Sequence, residues 1–331
     1  MVNEKPGVDR SSLTFSKLNN VHRAHLAMLL FALLVSTSFT VGAAIADALD
    51  PVALTFLRFL VAAAIFGFLI SLRETWRLPG MRDFARYGTI GLTLVVFFVT
   101  MFEALRLSSS VSLSAVFTLI PLMTALVSRL MLRQRPGPVL MAGLMVAALG
   151  AIWVVFDGSL SNVLGFSVDR GEIIFFVGCI SYSIYSPAVR KLHRSESIMT
   201  LTFWTIVASA VILAVYGFNV IISTRWDLVP GYVYAGIVYL GIAPTAVSFF
   251  MIKFASMHLP AAKVMAYTYL IPALVVAQLA ILGEQWPPLT IMVGIGVIAI
   301  AMLVLQRATA TDLNAASVPE EIRSEAFPGH R

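Results

Sequence analysis

Apolar residues recur along this chain in runs of about twenty, each ended by a short polar or Pro/Gly-rich break. A helix that crosses the hydrocarbon core of a bilayer needs about 20 apolar residues. The strands of a membrane barrel would instead show alternating apolar and polar residues over segments of about ten residues. The pattern therefore predicts an all-α integral membrane protein with ten transmembrane helices. The runs cover about residues 25–46, 52–72, 84–105, 109–131, 138–156, 172–190, 198–222, 231–253, 260–282 and 288–306.

Composition agrees with this pattern. Hydrophobic residues make up 59% of the 331 positions, charged residues make up 12%, and the mean hydropathy is +0.89. A soluble domain carries about 25% charged residues. Most of the protein surface is therefore expected to face lipid.

The first apolar run has two interpretations. Basic residues precede it and Ala44-Ile45-Ala46 resembles a cleavage site, as in a secretory signal peptide. The run is longer than a signal-peptide core, however, and it is needed to complete the first group of five helices. We therefore interpret it as a retained helix, preceded by a mobile cytoplasmic tail at residues 1–23.

The positions of lysine and arginine predict the orientation. With a cytoplasmic N-terminus and ten spans, 19 of the 23 basic residues fall in inside segments. Only Arg106, Arg170 and Arg225 fall outside, and Arg58 lies within a span. Because cytoplasmic loops collect Lys and Arg, both termini are expected to be cytoplasmic, with the protein a multi-pass protein of the cell inner (plasma) membrane.

The formal net charge of +6 does not predict nucleic-acid binding. The basic residues are spread over short loops, and no basic surface or base-reading motif accompanies them. We expect contacts with membrane lipid and a small-molecule solute, no nucleic acid, and a monomer or weak homodimer.

An internal repeat relates the two halves of the chain. When Pro121 is aligned with Pro272, Gln134 falls on Gln285 and Pro136 on Pro287. Five helices is an odd number, so the second half is predicted to be inverted relative to the first, as in many secondary transporters. The predicted division places the first repeat at 24–157, the second at 165–307 and a second cytoplasmic tail at 308–331.

Several motifs resemble those of a known family. The stretch from Pro51 to Phe59, the helix containing Leu119-Ile120-Pro121-Leu122, and its counterpart Leu270-Ile271-Pro272-Ala273 with Leu282-Gly283-Glu284 resemble the EamA branch of the drug/metabolite transporter superfamily. The resemblance covers about residues 25–306. It implies ten helices in two inverted repeats and export of amino acids, other metabolites or drugs. One departure is that Arg133 stands where the first repeat usually carries a glutamate.

Two charged residues are candidates for the transport site. Arg58 lies about 10 Å inside its helix, at 1.5 Å per residue. Glu103 lies near the same end of the next helix. Charges at membrane depth usually face a cavity or a partner. The two could form a structural pair or an outer gate, or Arg58 could bind a carboxylate or extend towards the interface.

Polar and aromatic positions on other helices complete the candidate site. Hydroxyl residues share helical faces, and two prolines occupy equivalent positions at which they would break their helices. Such broken helices indicate a binding site, although small residues also permit close helix packing. The candidates are Ser36, Thr37, Ser114, Thr118, Tyr182, Tyr185, Trp204, Tyr267 and Tyr269, with Pro121 and Pro272 as helix breakers.

These observations predict a secondary transporter of small metabolites, with amino acids or related solutes as the expected exports. A metabolite importer and a multidrug efflux protein are open alternatives. The sequence has no catalytic or phosphate-binding motif and a single cysteine. We therefore expect no enzymatic activity, no metal and no cofactor. An intramembrane enzyme is a less favoured interpretation.

Overall fold

The computed structural model describes residues 10–73, 78–133, 136–165, 168–194, 196–256, 258–259 and 261–307. Within this part of the chain, ten helices are long and apolar enough to cross a membrane, which confirms the predicted fold class. The spans α1 to α10, in chain order, are Asn20–Ala46, Pro51–Leu72, Met81–Leu105, Ser110–Leu132, Pro138–Val155, Arg170–Leu192, Ile198–Tyr216, Gly231–Ile252, Lys263–Ile281 and Leu289–Arg307. Below, "inner" and "outer" refer to the orientation predicted from Lys and Arg.

The structure differs from the sequence prediction at two helix ends. The first helix begins at Arg10, so part of the segment expected to be a tail is helical. No Pro or Gly occurs between Arg10 and Ala24 to stop it. The apolar run predicted at 198–222 is divided at Gly217 into Ile198–Tyr216 and a short helix, Phe218–Ser223. Residues 308–331 lie outside the described residues.

Local sequence signals start several of the spans. Pro51 and Pro138 begin α2 and α5, where a missing N–H costs no hydrogen bond. Ser109 caps α4 by accepting a hydrogen bond from the backbone N–H of Ser112 at 3.2 Å. Asp169 begins α6 with a capping box that includes Glu172. These caps satisfy donors that lipid cannot satisfy.

Three spans are irregular at mid-length. Span α4 consists of the helices Ser110–Phe117 and Ile120–Leu132, and α9 contains the 3₁₀ segment Tyr267–Leu270 before the helix Ile271–Ile281. In both spans the irregularity immediately precedes an Ile-Pro pair. Span α8 contains a π-helix at Ile242–Val247.

Helix contacts are symmetric when the first five spans are exchanged with the last five. Spans α2 and α7 pack together, as do α4 and α9, and α5 and α10. The contact between α3 and α6 corresponds to the contact between α8 and α1. The contact between α3 and α7 corresponds likewise to the contact between α8 and α2. This pattern supports the predicted repeat.

Spans α5 and α10 approach closely through two glycines. A Cβ atom on Gly150 would lie 2.9 Å from the carbonyl oxygen of Gly294, and one on Gly294 would lie 3.0 Å from that of Gly150. Neither backbone can move without separating the helices. Glycine is therefore required at both positions by packing.

Replacing Gly294 with alanine is expected to lower stability by about 1–3 kcal/mol, because the added methyl group forces the helices apart. Gly296 on the same helix has open space around its Cβ position, so Gly296→Ala should be neutral or slightly stabilising. Thermal unfolding of both variants in detergent is the measurement. Equal stability of the two would contradict the proposed contact.

Candidate functional site

Arg58 lies in the interior of the helix bundle. Its side chain is on the eighth residue of α2, and the residue is 2% exposed. Nη2 donates a hydrogen bond to Oγ1 of Thr245 at 3.1 Å. Nε and Nη1 are buried and have no hydrogen-bond partner among the described residues. Since buried polar groups are nearly always paired, these two guanidinium nitrogens are donors that still lack an acceptor in the described part of the chain.

Aromatic side chains surround the guanidinium. The Cζ atom of Arg58 lies 4.3 Å from the centre of the Phe98 ring and 6.0 Å from that of Phe102. Tyr182 lies within electrostatic reach of it. Arg58, Phe98, Phe102, Tyr182 and Thr245 are called the Arg58 site below. Cation–π contact partly offsets the loss of hydration of the charge.

The π-helix of α8 positions Thr245. Its hydroxyl donates to the carbonyl oxygen of Leu240 at 2.8 Å, so its oxygen is directed to accept from Arg58. Pro244 removes one backbone donor from this turn. π-Helical turns occur frequently at functional sites. The apolar period of α8 gave no signal of this irregularity, and Thr245 was not predicted from the sequence.

Two further predicted aromatic residues, Tyr185 and Trp204, share an apolar cluster with Tyr182 of the Arg58 site. Tyr182, Tyr185 and Trp204 pack against one apolar cluster formed mainly by α2, α3 and α7. The ring centroid of Tyr182 lies 4.5 Å from that of Phe97 and 5.7 Å from that of Tyr185, with which it stacks. All three residues are only partly buried.

Glu103 does not pair with Arg58. Its Oε2 accepts a hydrogen bond from Nη1 of Arg106 at 3.0 Å, at the outer end of α3. Asp47 joins this partly exposed group at 3.6 Å from Nε of Arg106. The structural pair considered from the sequence is therefore not formed, and Arg58 has no acidic partner among the described residues.

Ser36 and Thr37 belong to a second polar group, between α1, α8 and α9. Gln278 donates from Nε2 to Oγ of Ser36 at 2.6 Å and accepts from Oγ1 of Thr40 at 2.9 Å. The hydroxyls of Thr37 and Tyr239 are 2.9 Å apart. Gln278 and Tyr239 were missed in the sequence, where a single Gln or Tyr in an apolar run is a weak signal.

A cavity of 440 Å³ adjoins this group at the outer end of the bundle. Thr40 from α1, the turn before α4 and the outer end of α9 line it, with Glu284 at its edge. The cavity and the polar group share Thr40. Arg58 is not among its lining residues.

The other predicted residues lie apart from Arg58. Ser114 and Thr118 donate to carbonyl oxygens of their own helix, both at 2.7 Å. Tyr267 and Tyr269 pack in a separate apolar cluster with α5 and α10. Pro121 and Pro272 are buried as the second residues of the helices that follow the breaks in α4 and α9.

Tyr267 and Tyr269 differ in their hydroxyl environments. The hydroxyl of Tyr267 lies 2.6 Å from Nδ1 of His25. That of Tyr269 is buried without a hydrogen-bond partner in the described part of the chain. The contact with His25 places Tyr267 beside the inner half of α1.

An ion-pair network lies at the inner ends of α3 and α6. Arg86 donates from Nη1 to Oε1 of Glu196 and to the carbonyl oxygen of Leu192, both at 2.6 Å. Asp83 bridges Arg86 and Arg194. Partial burial opposes ionisation of Glu196, but the hydrogen bond and charge of Arg86 outweigh it and hold the pKa of Glu196 below its ordinary value.

The grouping of side chains in the described part of the chain decides whether they could bind a metal ion. Among the described residues, no three His, Cys, Asp or Glu side chains come together as metal ligands would. Cys179 is buried. The interior instead offers one guanidinium, aromatic surfaces and hydroxyl groups.

Comparison with known proteins agrees with the ten-span architecture. The sequence model of the EamA-like transporter family matches residues 22–156 and again residues 169–307. The chain belongs to the EamA-like transporter family. Each match contains five of the ten spans, so the EamA unit occurs twice. This duplication, with an odd number of spans in each unit, supports an inverted repeat.

Two curated relatives of this EamA protein are described as uncharacterised transporters. YyaM of Bacillus subtilis (strain 168) is 24% identical over 193 residues, which is 58% of this chain and 63% of YyaM. A transporter of Archaeoglobus fulgidus is 26% identical over 197 residues, 60% of this chain and 67% of the relative. The matched regions thus span about two thirds of each relative.

A solved structure shares the fold. One crystal structure of a protein superposes on this chain with a TM-score of 0.64, and the two sequences are 22% identical. The superposed region covers 86% of this chain and 96% of the chain in the crystal structure. At this identity the likeness concerns the fold alone. The family match and the ten spans together indicate a multi-pass membrane protein of the EamA-like transporter family.

Proposed function

We propose that this protein is a secondary transporter that exports small carboxylate-bearing metabolites, the class of amino acids and related solutes, across the inner (plasma) membrane. The observation that carries the proposal is the buried guanidinium of Arg58 with two unpartnered nitrogens. A planar guanidinium matches the two oxygens of a carboxylate. The site is assembled from several helices of both halves, where such transporters hold their solutes.

The same features make enzymatic catalysis a poor alternative. Nucleophilic catalysis needs a nucleophile and a base within hydrogen-bond reach. The polar residues at the Arg58 site are an arginine, a threonine and a tyrosine, none of which is paired with a general base. We propose that the protein binds and moves its solute unchanged, as a monomer or weak homodimer.

A transport assay with purified protein in liposomes tests the proposal. Labelled L-leucine, L-phenylalanine, lactate and benzoate serve as carboxylate-bearing probes, and ethidium as a drug without a carboxylate. We expect exchange of carboxylates by the protein and none of ethidium. Movement of ethidium alone would favour multidrug efflux and contradict the proposal. Imposed gradients in each direction separate export from import.

Orientation is a separate prediction. Reporter fusions after Asp157, which follows five spans, and at Arg307, which follows ten, should read outside and inside respectively. The physical reason is the excess of Lys and Arg in the segments placed inside. The same reading at both positions would contradict the ten-span inverted arrangement and the proposed cytoplasmic termini.

A further inference from the structure

Arg58 is the only charged group deep in the described part of the bundle. Every Asp and Glu in that part lies outside the spans or among the first or last three residues of one. The other described Lys and Arg residues lie outside the spans or within six residues of an end. Arg58 is therefore the charged side chain farthest from a span end in this part of the chain, whereas the other two buried charged residues, Arg86 and Glu172, lie nearer the ends of their spans.

From this charge distribution we infer that the Arg58 site selects organic monoanions, with one carboxylate, an apolar or aromatic body and no ammonium group, over zwitterionic amino acids. The inference rests on the proposed function and narrows its substrate class. A monoanion neutralises the guanidinium, whereas a zwitterion leaves the net charge of the site unchanged. In a low-dielectric interior this difference is large.

An ammonium group would find no suitable partner at this site. In an α-amino acid it is bonded to the carbon next to the carboxylate, which places it close to the guanidinium with the same charge. One face of Phe98 is already covered by Arg58 at 4.3 Å, so that face is not free for a second cation. The described acidic residues are all near span ends. A 2-oxo group in place of the ammonium group removes the charge repulsion with the guanidinium. The oxo group is uncharged and needs only a hydrogen-bond donor.

The number of charges also disfavours dianions. A phosphate ester or dicarboxylate would bring two negative charges to a single arginine and leave one unneutralised in the interior. Two free donors, Nε and Nη1, match the two oxygens of one carboxylate. The charge count and the donor count thus both indicate a single carboxylate.

The aromatic residues around Arg58 indicate the chemistry of the part of the ligand that does not belong to the carboxylate. Phe98 and Phe102 lie over the guanidinium, and Tyr182 connects to the stacked Tyr185. The surface next to the bound carboxylate is therefore largely apolar. A branched or aromatic body would be buried there, whereas a second charged group would lose its hydration without a partner of opposite charge.

Matched ligand pairs test the inference. Phenylpyruvate and L-phenylalanine differ only in the oxo or ammonium group, as do 4-methyl-2-oxopentanoate and L-leucine. Equilibrium binding to the full chain in detergent is measured with each labelled ligand. We expect the oxo acid of each pair to bind at least about ten-fold more tightly. The amine 2-phenylethylamine, without a carboxylate, should not compete.

Variants assign the preference to Arg58. Arg58→Met should weaken binding of the oxo acids and remove the difference between the members of a pair. Thr245→Val, which keeps the charge but removes the bond that orients it, provides a second variant should Arg58→Met not fold. Arg106→Met, at the outer end of α3, is the matched control and should retain the preference.

Three outcomes decide the inference. Tighter, Arg58-dependent binding of the oxo acids supports it. Equal or tighter binding of the amino acids overturns the monoanion preference while the proposed transport of carboxylates stands. Absence of binding by all four carboxylates to a folded protein overturns both the preference and the proposed function.

Discussion

Replacing Arg58 with methionine is expected to reduce carboxylate transport by at least about 100-fold, because two charge-assisted hydrogen bonds of about 1.5–3 kcal/mol each are lost. Folding stability should change by less than about 1 kcal/mol. Burying an arginine costs about 2.5–3.5 kcal/mol on insertion scales. The hydrogen bond to Thr245 and the contact with Phe98 offset a similar amount.

This near-cancellation distinguishes a functional arginine from a structural one. A buried ion pair that loses one partner is destabilised by about 3–5 kcal/mol, and Arg58 has no acidic partner among the described residues. Initial rates in liposomes and thermal unfolding in detergent are measured together. Arg58→Lys, which keeps the charge but not the planar fork, should fold and transport poorly. Strong destabilisation by Arg58→Met with normal transport by Arg58→Lys would indicate a structural residue.

The second large effect is expected at the inner ion-pair network. Arg86→Met should destabilise the protein by about 2–3 kcal/mol, because it leaves Glu196 and the carbonyl oxygen of Leu192 without their donor. The side chains of Arg86 and Glu196 are 6% and 14% exposed, so solvent screens the pair little. Thermal unfolding in detergent at neutral pH measures the loss.

The pH dependence of this network has a defined sign. The pKa of Glu196 is lowered in the folded protein, so its contribution is present above the ordinary glutamate pKa and is lost as the pH falls through the lowered value. The stability difference between wild type and Glu196→Gln should therefore disappear in acid. Arg194→Met, at a side chain that is 64% exposed, is the control and should have little effect. A difference that persists unchanged in acid would contradict this account.

The sequence predicted the spans because burial in lipid acts on every residue of a helix. Ten apolar runs, the Lys and Arg distribution and the paired prolines all follow from that constraint. Arg58 was found for the same reason, since a charge inside an apolar run is costly. The polar residue Gln278 of α9 gave too weak a signal, although it connects Ser36 and Thr40.

Side-chain contacts between distant segments were not predictable in this way. Thr245 lies 187 residues from Arg58 in sequence, and a π-helix directs it toward the guanidinium. No period in the sequence of α8 marks that turn. Glu103 was placed at the correct end of α3, but its partner is Arg106, three residues away. Depth along a helix can be read from sequence, whereas the direction of a side chain around the helix depends on packing.

The most direct test of the account is contact between the solute carboxylate and the guanidinium of Arg58. Solid-state NMR of the protein in liposomes, with ¹⁵N-labelled arginine, detects dipolar coupling to a ¹³C-labelled carboxylate. The ligand is L-leucine or 4-methyl-2-oxopentanoate, whichever binds more tightly. The account predicts a coupling between the two labels that is lost in Arg58→Lys and kept in Arg106→Met. A bound ligand without this coupling, or a coupling that persists in Arg58→Lys, would contradict it.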